Sequence, residues 1–216
     1  MPNTFNRALV ALTLSALAPL AQADITSTFD SDAEGWTAVN GGDAVTWNAA
    51  WGNPGGAIRS GDATSGRLWY FAAPTAYHGD LSSYVGGSVT WDLLGLTGGS
   101  AAGQSSDVIL EGTAGRIGYA IPGNIDLATW QTFSVPLTFS GWYFTPAFPS
   151  SSATGTAVTE AEFAAVLANI TGFFIQGEYR NGDDAARLDN VLVRVPAPAS
   201  AGLLLLGAAV ARRRRA

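Results

Sequence analysis

RLWYFAAPTAYHGDLSSYVGGSVTWDL, residues 67–93, is the stretch that decides how the rest of the chain reads. Residues 68–71 are an aromatic strand signal. After a loop punctuated by Pro74, Gly79, Asp80 and the Gly86-Gly87 pair, Val89, Trp91 and Leu93 alternate with Ser88, Thr90 and Asp92. Period two with one apolar face is the pattern of a half-buried strand. Two such strands joined by an ordered loop predict one layer of a β-sheet, and that loop holds the single histidine, His78, beside Asp80.

Working outward, further strand signals occupy residues 45–47, 107–111, 117–121, 130–137, 173–179 and 188–195, with Trp91, Phe133 and Phe173 expected in the core. The second and third of these, 107–111 and 117–121, are expected to pair. Residues 52–56, 97–106, 149–152 and 181–184 read as turns or linkers, the second of them flexible. One helix is expected over 159–169. Thr159 and Glu162 form a capping box, Phe163, Val166, Leu167 and Ile170 make one apolar stripe, and Gly172 stops it.

The 216 residues include 26 glycines, seven tryptophans and ten phenylalanines, with no lysine and no cysteine. That mixture suits one all-β domain rich in turns. Without cysteine there are no disulfides and no thiolate metal sites, so an exported fold must rest on its core, alone or with a hard cation. The formal charge is −6; setting aside Arg7 and the four arginines 212–215 leaves 17 acids against 6 bases. A domain so acidic repels polyphosphate, which excludes nucleic acid as a partner class.

Both ends read as addresses. Residues 1–23 have Arg7, an apolar run over 8–20 and Ala21-Gln22-Ala23, the pattern of a secretory signal peptide cleaved between Ala23 and Asp24. Residues 24–195 are then the folded domain. Val195-Pro196-Ala197-Pro198 leads into an apolar run over 201–211, and four arginines follow. The run is shorter than the roughly 20 residues of a spanning helix, though flanking residues extend it, and the arginines would stay cytoplasmic. This order resembles the PEP-CTERM sorting signal, with Ala197 where glutamate is usual. The resemblance implies that residues 196–216 anchor the chain transiently in an inner membrane as a transmembrane helix. It also implies an exosortase as partner beside the secretion machinery, and export to the surface or exopolysaccharide matrix of a Gram-negative bacterium.

A second resemblance rests on Trp69-Tyr70-Phe71-Ala72-Ala73-Pro74, Gly79-Asp80-Leu81, Ser83-Tyr84 with Gly86-Gly87, Asp107-Val108-Ile109-Leu110-Glu111-Gly112, and the segments 167–170 and 187–191. These look like the laminin B (laminin IV type A) domain; Val85 is inserted where that family tends to have Ser-Tyr-Gly-Gly. It implies a jelly-roll-like β-sandwich akin to carbohydrate-binding modules, without catalysis.

Nucleophilic catalysis would need a base beside serine or threonine, and His78 with Asp80 is the sole Ser-His-Asp option, with no Gly-x-Ser-x-Gly elbow to serve it. Glycoside hydrolysis needs two carboxyl groups roughly 5 to 9.5 Å apart. Asp107 and Glu111 on one strand face stand roughly 13 Å apart, too wide; Asp183 with Asp184, or Asp30 with Asp32, sit in turns. Sugar binding needs exposed aromatics near hydrogen-bonding groups. Trp51, Tyr77, Trp142 and Tyr143, in loop-like surroundings, are the candidates for it. Asp30, Glu34 and Asp189 are the candidate ligands of a structural Ca²⁺ where the first and last strands meet. The expectation is an exported, non-catalytic module that binds carbohydrate. The alternatives are a carbohydrate-active enzyme on the same sandwich, or a protein-binding adhesin with an exposed apolar patch.

Overall fold

The computed structural model describes residues 22–64, 68–97, 105–123, 125, 127–146, 148 and 155–196. The signal segment up to residue 21 and the sorting segment from Ala197 onward lie outside them, as do residues 98–104 and 149–152. Among the described residues no helix is long and apolar enough to cross a membrane.

Among the described residues twelve strands form two six-stranded sheets with every neighbour antiparallel, the all-β domain expected from composition and the β-sandwich that the laminin B resemblance implies. Sheet I contains β1 (Ile25–Ser27), β3 (Thr46–Asn48), β4 (Ala57–Gly61), β6 (Ser88–Thr97), β9 (Gln131–Pro136) and β12 (Ala185–Arg194). Its order is β3-β4-β12-β6-β9, and β1 pairs with the far end of β12. β4 pairs with residues 185–188 of β12 and β1 with 191–193; between them Asn190 takes a positive φ of 50°, and on the other side of β12 the register with β6 shifts after Asp189. Sheet II contains β2 (Thr37–Val39), β5 (Tyr70–Ala72), β7 (Val108–Gly112), β8 (Gly115–Tyr119), β10 (Trp142–Phe144) and β11 (Ile170–Gln176), in the order β10-β8-β7-β11-β5-β2. The pairing of 107–111 with 117–121 is realised as β7 against β8.

The opening stretch departs from its reading. Its two strands, β5 and β6, belong to opposite sheets and not to one layer. Alternation reports that each strand has a core face but says nothing of which sheet it joins. The connection carries its own core residues, Tyr77, Leu81 and Tyr84, two of them in short 3₁₀ turns at Thr75–Tyr77 and Ser82–Tyr84. It is tied at both sides. Gly79 exchanges two backbone hydrogen bonds with Ile170 of sheet II (2.8 and 2.7 Å), while Gly86 N donates to Leu137 O and Leu137 N to Gly87 O just beyond β9 of sheet I.

Between the sheets lies an aromatic core that includes the fully buried Trp69, Trp91 and Trp142. Trp36 meets Phe29, Tyr77 and Phe173 edge-on, and Trp91 stacks on Phe133 at 5.4 Å. The helix α1 (Glu160–Leu167) forms as its capping box predicts, with Glu162 N donating to Thr159 Oγ1 and Thr159 N to Glu162 Oε2. It buries Phe163, Val166 and Leu167, each contributing roughly 1.5–3 kcal/mol, and Phe163 reaches Trp142 at 5.7 Å. The backbone of β7 comes so close beneath it that a Cβ on Gly112 would lie 2.5 Å from Val166 O.

Candidate ligand-binding faces

Each sheet has an outer face, and strand alternation decides what stands there. On sheet II, Phe71, Leu110, Ile117, Phe173 and Ile175 point into the core, so their neighbours point away. Register aligns Thr37, Ala72, Phe174, Ile109, Gly118 and Tyr143 in one row across the sheet. A second row, Gly172-Glu111-Arg116, runs beside it. Phe174 is partly exposed, and a Cβ on Gly172 would sit 2.7 Å from its ring, so glycine there lets the ring lie against the strand. Phe148 packs edge-on to Phe174 at 5.2 Å and onto Tyr70 at 5.4 Å. Next to this aromatic cluster Arg116 holds Glu111 through Nη2 (2.6 Å) and Nε (3.1 Å), both side chains partly exposed.

Beneath the aromatic cluster several polar groups pair with one another, while the buried Tyr70 Oη has no partner. Ser105 Oγ donates to Gln176 Oε1, Gln176 Nε2 to Glu178 O, and Ser106 Oγ bonds Tyr143 Oη at 2.7 Å. Tyr179 Oη donates to Asp107 Oδ1 (2.8 Å) and Ile121 N to Asp107 Oδ2 (2.6 Å). Ser105 and Ser106, expected as the end of a flexible linker, are therefore buried. Burial pushes Asp107 up to about 6 against the pull of those hydrogen bonds, and burial followed by Asp107 raises Tyr179 far above the usual phenol range.

On the outer face of sheet I, register aligns Thr46, Arg59, Arg187 and Leu94. Trp51, from the loop after β3, lies over Arg187 with the guanidinium carbon 4.8 Å from the ring centroid. One row along, Asp189 accepts from Asn53 N (2.6 Å) and Asn190 N (2.7 Å), while Asp92 accepts from Thr132 Oγ1, Asn53 Nδ2 and Asn190 Nδ2.

Of the four aromatics proposed for ligand stacking, only Trp51 is partly exposed. Tyr77 and Trp142 require correction. At 1% exposure each they are core residues, Tyr77 Oη reaching Val191 O and Trp142 Nε1 bonding Pro136 O. Both lie in loop-like sequence surroundings, near Pro74 and Gly141, yet each places its ring between the sheets. Tyr143 does face outward, but its hydroxyl is engaged by Ser106 and its ring is largely covered. Sequence reasoning missed Phe174 and Arg116, and it weighed Glu111 only as half of a hydrolytic carboxyl pair with Asp107. Of the consecutive pair Phe173-Phe174 a strand can bury only one ring in its core, and that alternation was the signal available.

Among the proposed calcium ligands, Asp30 and Asp189 come close enough that Asp189 is pushed up to about 6, first by burial, then by the charges of Asp92 and Asp30. Glu34 turns elsewhere, its Oε1 accepting from Thr28 N (3.1 Å) and Phe29 N (2.6 Å). Among the described residues no three metal-ligating side chains converge. A different carboxyl pair does meet. Asp62 and Glu178 face each other, and both Asp62 oxygens and Glu178 Oε2 are buried with no donor. Burial, then the charges of Asp62 and Asp184, push Glu178 up to about 7, and Asp184, itself buried, rises to about 6. Pressed together and closed to solvent, this pair lacks the open gap that hydrolysis of a glycosidic bond requires.

Comparison with solved structures found the L4b domain of human laminin alpha-2, 18% identical over 59% of this chain and 70% of that one, with a TM-score of 0.48. It also found the family 11 carbohydrate-binding module of Clostridium thermocellum in complex with a β-1,3-1,4-mixed-linked tetrasaccharide, 18% identical over 83% and 99% of the two chains, with a TM-score of 0.49. An exo-β-agarase is 13% identical over 79% of this chain and 24% of its own, with a TM-score of 0.50. No curated protein matches. The family model Laminin B (Domain IV) matches residues 70–208, more than half of the sequence, and the chain belongs to the laminin B family.

Proposed function

We propose that the chain is an exported, non-catalytic module that binds neutral carbohydrate on the outer face of sheet II. The observation behind this is the aromatic pair Phe174 and Phe148 on that face. Phe174, laid flat by Gly172 and steadied by Phe148, offers a ring for the apolar side of a sugar, while the Glu111–Arg116 pair beside it presents acceptors and donors to hydroxyls. Export toward the surface or exopolysaccharide matrix of a Gram-negative bacterium, by way of a signal peptide and an exosortase, is supported by the sequence of the two ends alone. Mixed-linked β-glucan oligosaccharides are the first probe. The full chain should bind them in calorimetry, and Phe174→Ala should weaken binding roughly tenfold or more, as loss of a stacking aromatic does. Unchanged affinity in Phe174→Ala, no binding across a glycan array, or turnover of the oligosaccharide would each overturn the proposal.

A further inference from the structure

We propose that the outer face of sheet I carries a second, anion-selective site, in which Arg59 and Arg187 grip the carboxylate of a uronic-acid polysaccharide. It rests on the carbohydrate reading above but uses the opposite face and different residues.

Arg59 and Arg187 stand directly opposite each other on β4 and β12. Like charges in that relation are destabilising. Yet among the described residues neither guanidinium has a carboxylate within ion-pair distance, unlike Arg116 and Arg194, which pair with Glu111 and Asp24. Acids are available on the same face. Asp189 and Asp92 are one row away, but their oxygens are taken up by Asn53, Asn190 and Thr132. The two cations are thus left unneutralised in a domain where acids greatly outnumber bases.

Arg187 is held in place. Its guanidinium lies over Trp51, and its Nε is buried with no partner. Burial, followed by the charge of Arg59, lowers its pKa, the shift that an arriving anion would relieve. A guanidinium stacked on an aromatic keeps its N–H edge free for a planar oxyanion, and a carboxylate can bridge two such edges. The exposed rim of Trp51 gives the sugar ring an apolar surface. Beside Arg59 a shallow pocket lined by Asp43, Ala44, Thr46, Ser60 and Gly61 supplies acceptors and donors for neutral hydroxyls. A uronate chain, whose charges are a sugar apart, suits one local cationic pair on an acidic protein better than a densely charged polyphosphate does.

The test is calorimetric titration of the full chain with oligogalacturonate, with sulfated dextran and with a neutral gluco-oligosaccharide. Oligogalacturonate should bind, more weakly as salt rises, and Arg59→Gln should lose roughly tenfold or more because a charge-assisted bidentate contact is removed. Neutral oligosaccharide binding should be untouched. Arg59 is exposed, so its variant folds; Arg187→Gln, checked by circular dichroism, should repeat the loss. Failure of wild type to bind oligogalacturonate, undiminished binding by Arg59→Gln, or preference for the sulfated polymer would overturn the proposal. Loss of neutral-sugar binding in Phe174→Ala with uronate binding intact shows that the two faces are independent sites, as proposed. Failure of the neutral sugar alone overturns only the sheet II reading.

Discussion

Replacing Glu178 with glutamine should stabilise this protein at alkaline pH and do nothing at acid pH. In the fold the Glu178 carboxyl is pushed up to about 7 from 4.5, by burial and by Asp62 and Asp184. A carboxyl raised in this way binds its proton more tightly in the native state than in the unfolded chain. Its favourable contribution is therefore complete below the unfolded value and is lost as pH climbs through the native one. At about 1.4 kcal/mol per pH unit the ceiling is about 3.5 kcal/mol, and because Asp62 shares the repulsion and solvent screens part of it, about 1–2 kcal/mol belongs to Glu178 alone. Glutamine keeps an oxygen for the backbone amide of Trp69 that bonds the carboxyl, and it cannot ionise. Urea unfolding at about pH 8 should show Glu178→Gln more stable by that amount, with a melting point higher by roughly 2–8 °C. At about pH 4 the two curves should coincide. Equal destabilisation at both pH values would refute the reasoning, because it would make the carboxylate a needed acceptor and not a strained charge. Asp107, Asp184 and Asp189 are raised in the same direction, each to about 6, so the wild-type midpoint itself should fall as pH rises from about 4 to 7.

Thr159→Ala removes the acceptor for Glu162 N and half of the capping box; a loss of about 1 kcal/mol in urea unfolding is expected, and no loss would mean that α1 is held by Phe163, Val166 and Leu167 alone. Because no three metal-ligating side chains converge among the described residues, millimolar calcium and chelator should both leave the melting point unchanged; a rise with calcium that Asp189→Asn abolishes would place a cation beside Asp30 and Asp189 after all.

Eight of the twelve strands, the capped helix and the core roles of Trp91, Phe133 and Phe173 were legible in the sequence because each follows from neighbours within a few residues, whereas β1, β2, β4 and β10 carry too short or too mixed a pattern to announce themselves. Alternation marks a strand's buried face, and a threonine three residues before a glutamate marks a helix start. The candidate faces were only partly legible. Trp51 reads as a surface aromatic and is partly exposed, but Tyr77 and Trp142 read the same way and are buried, since a ring near Pro or Gly looks exposed in one dimension. The pairing of Arg59 with Arg187 spans more than a hundred residues, and nothing local announces it.

The sequence by itself determined a disulfide-free, acidic β-domain with one helix and the family to which it belongs, because composition, period and motif order are properties of the chain alone. Only the tertiary structure decided that β5 and β6 lie in opposite sheets, that Asp62 and Glu178 press together, and which rings and charges share an outer face. The physical reason is that strand pairing is chosen by the burial of whole faces against each other. Partners distant in sequence are therefore set by the cooperative core and not by any residue's immediate neighbours.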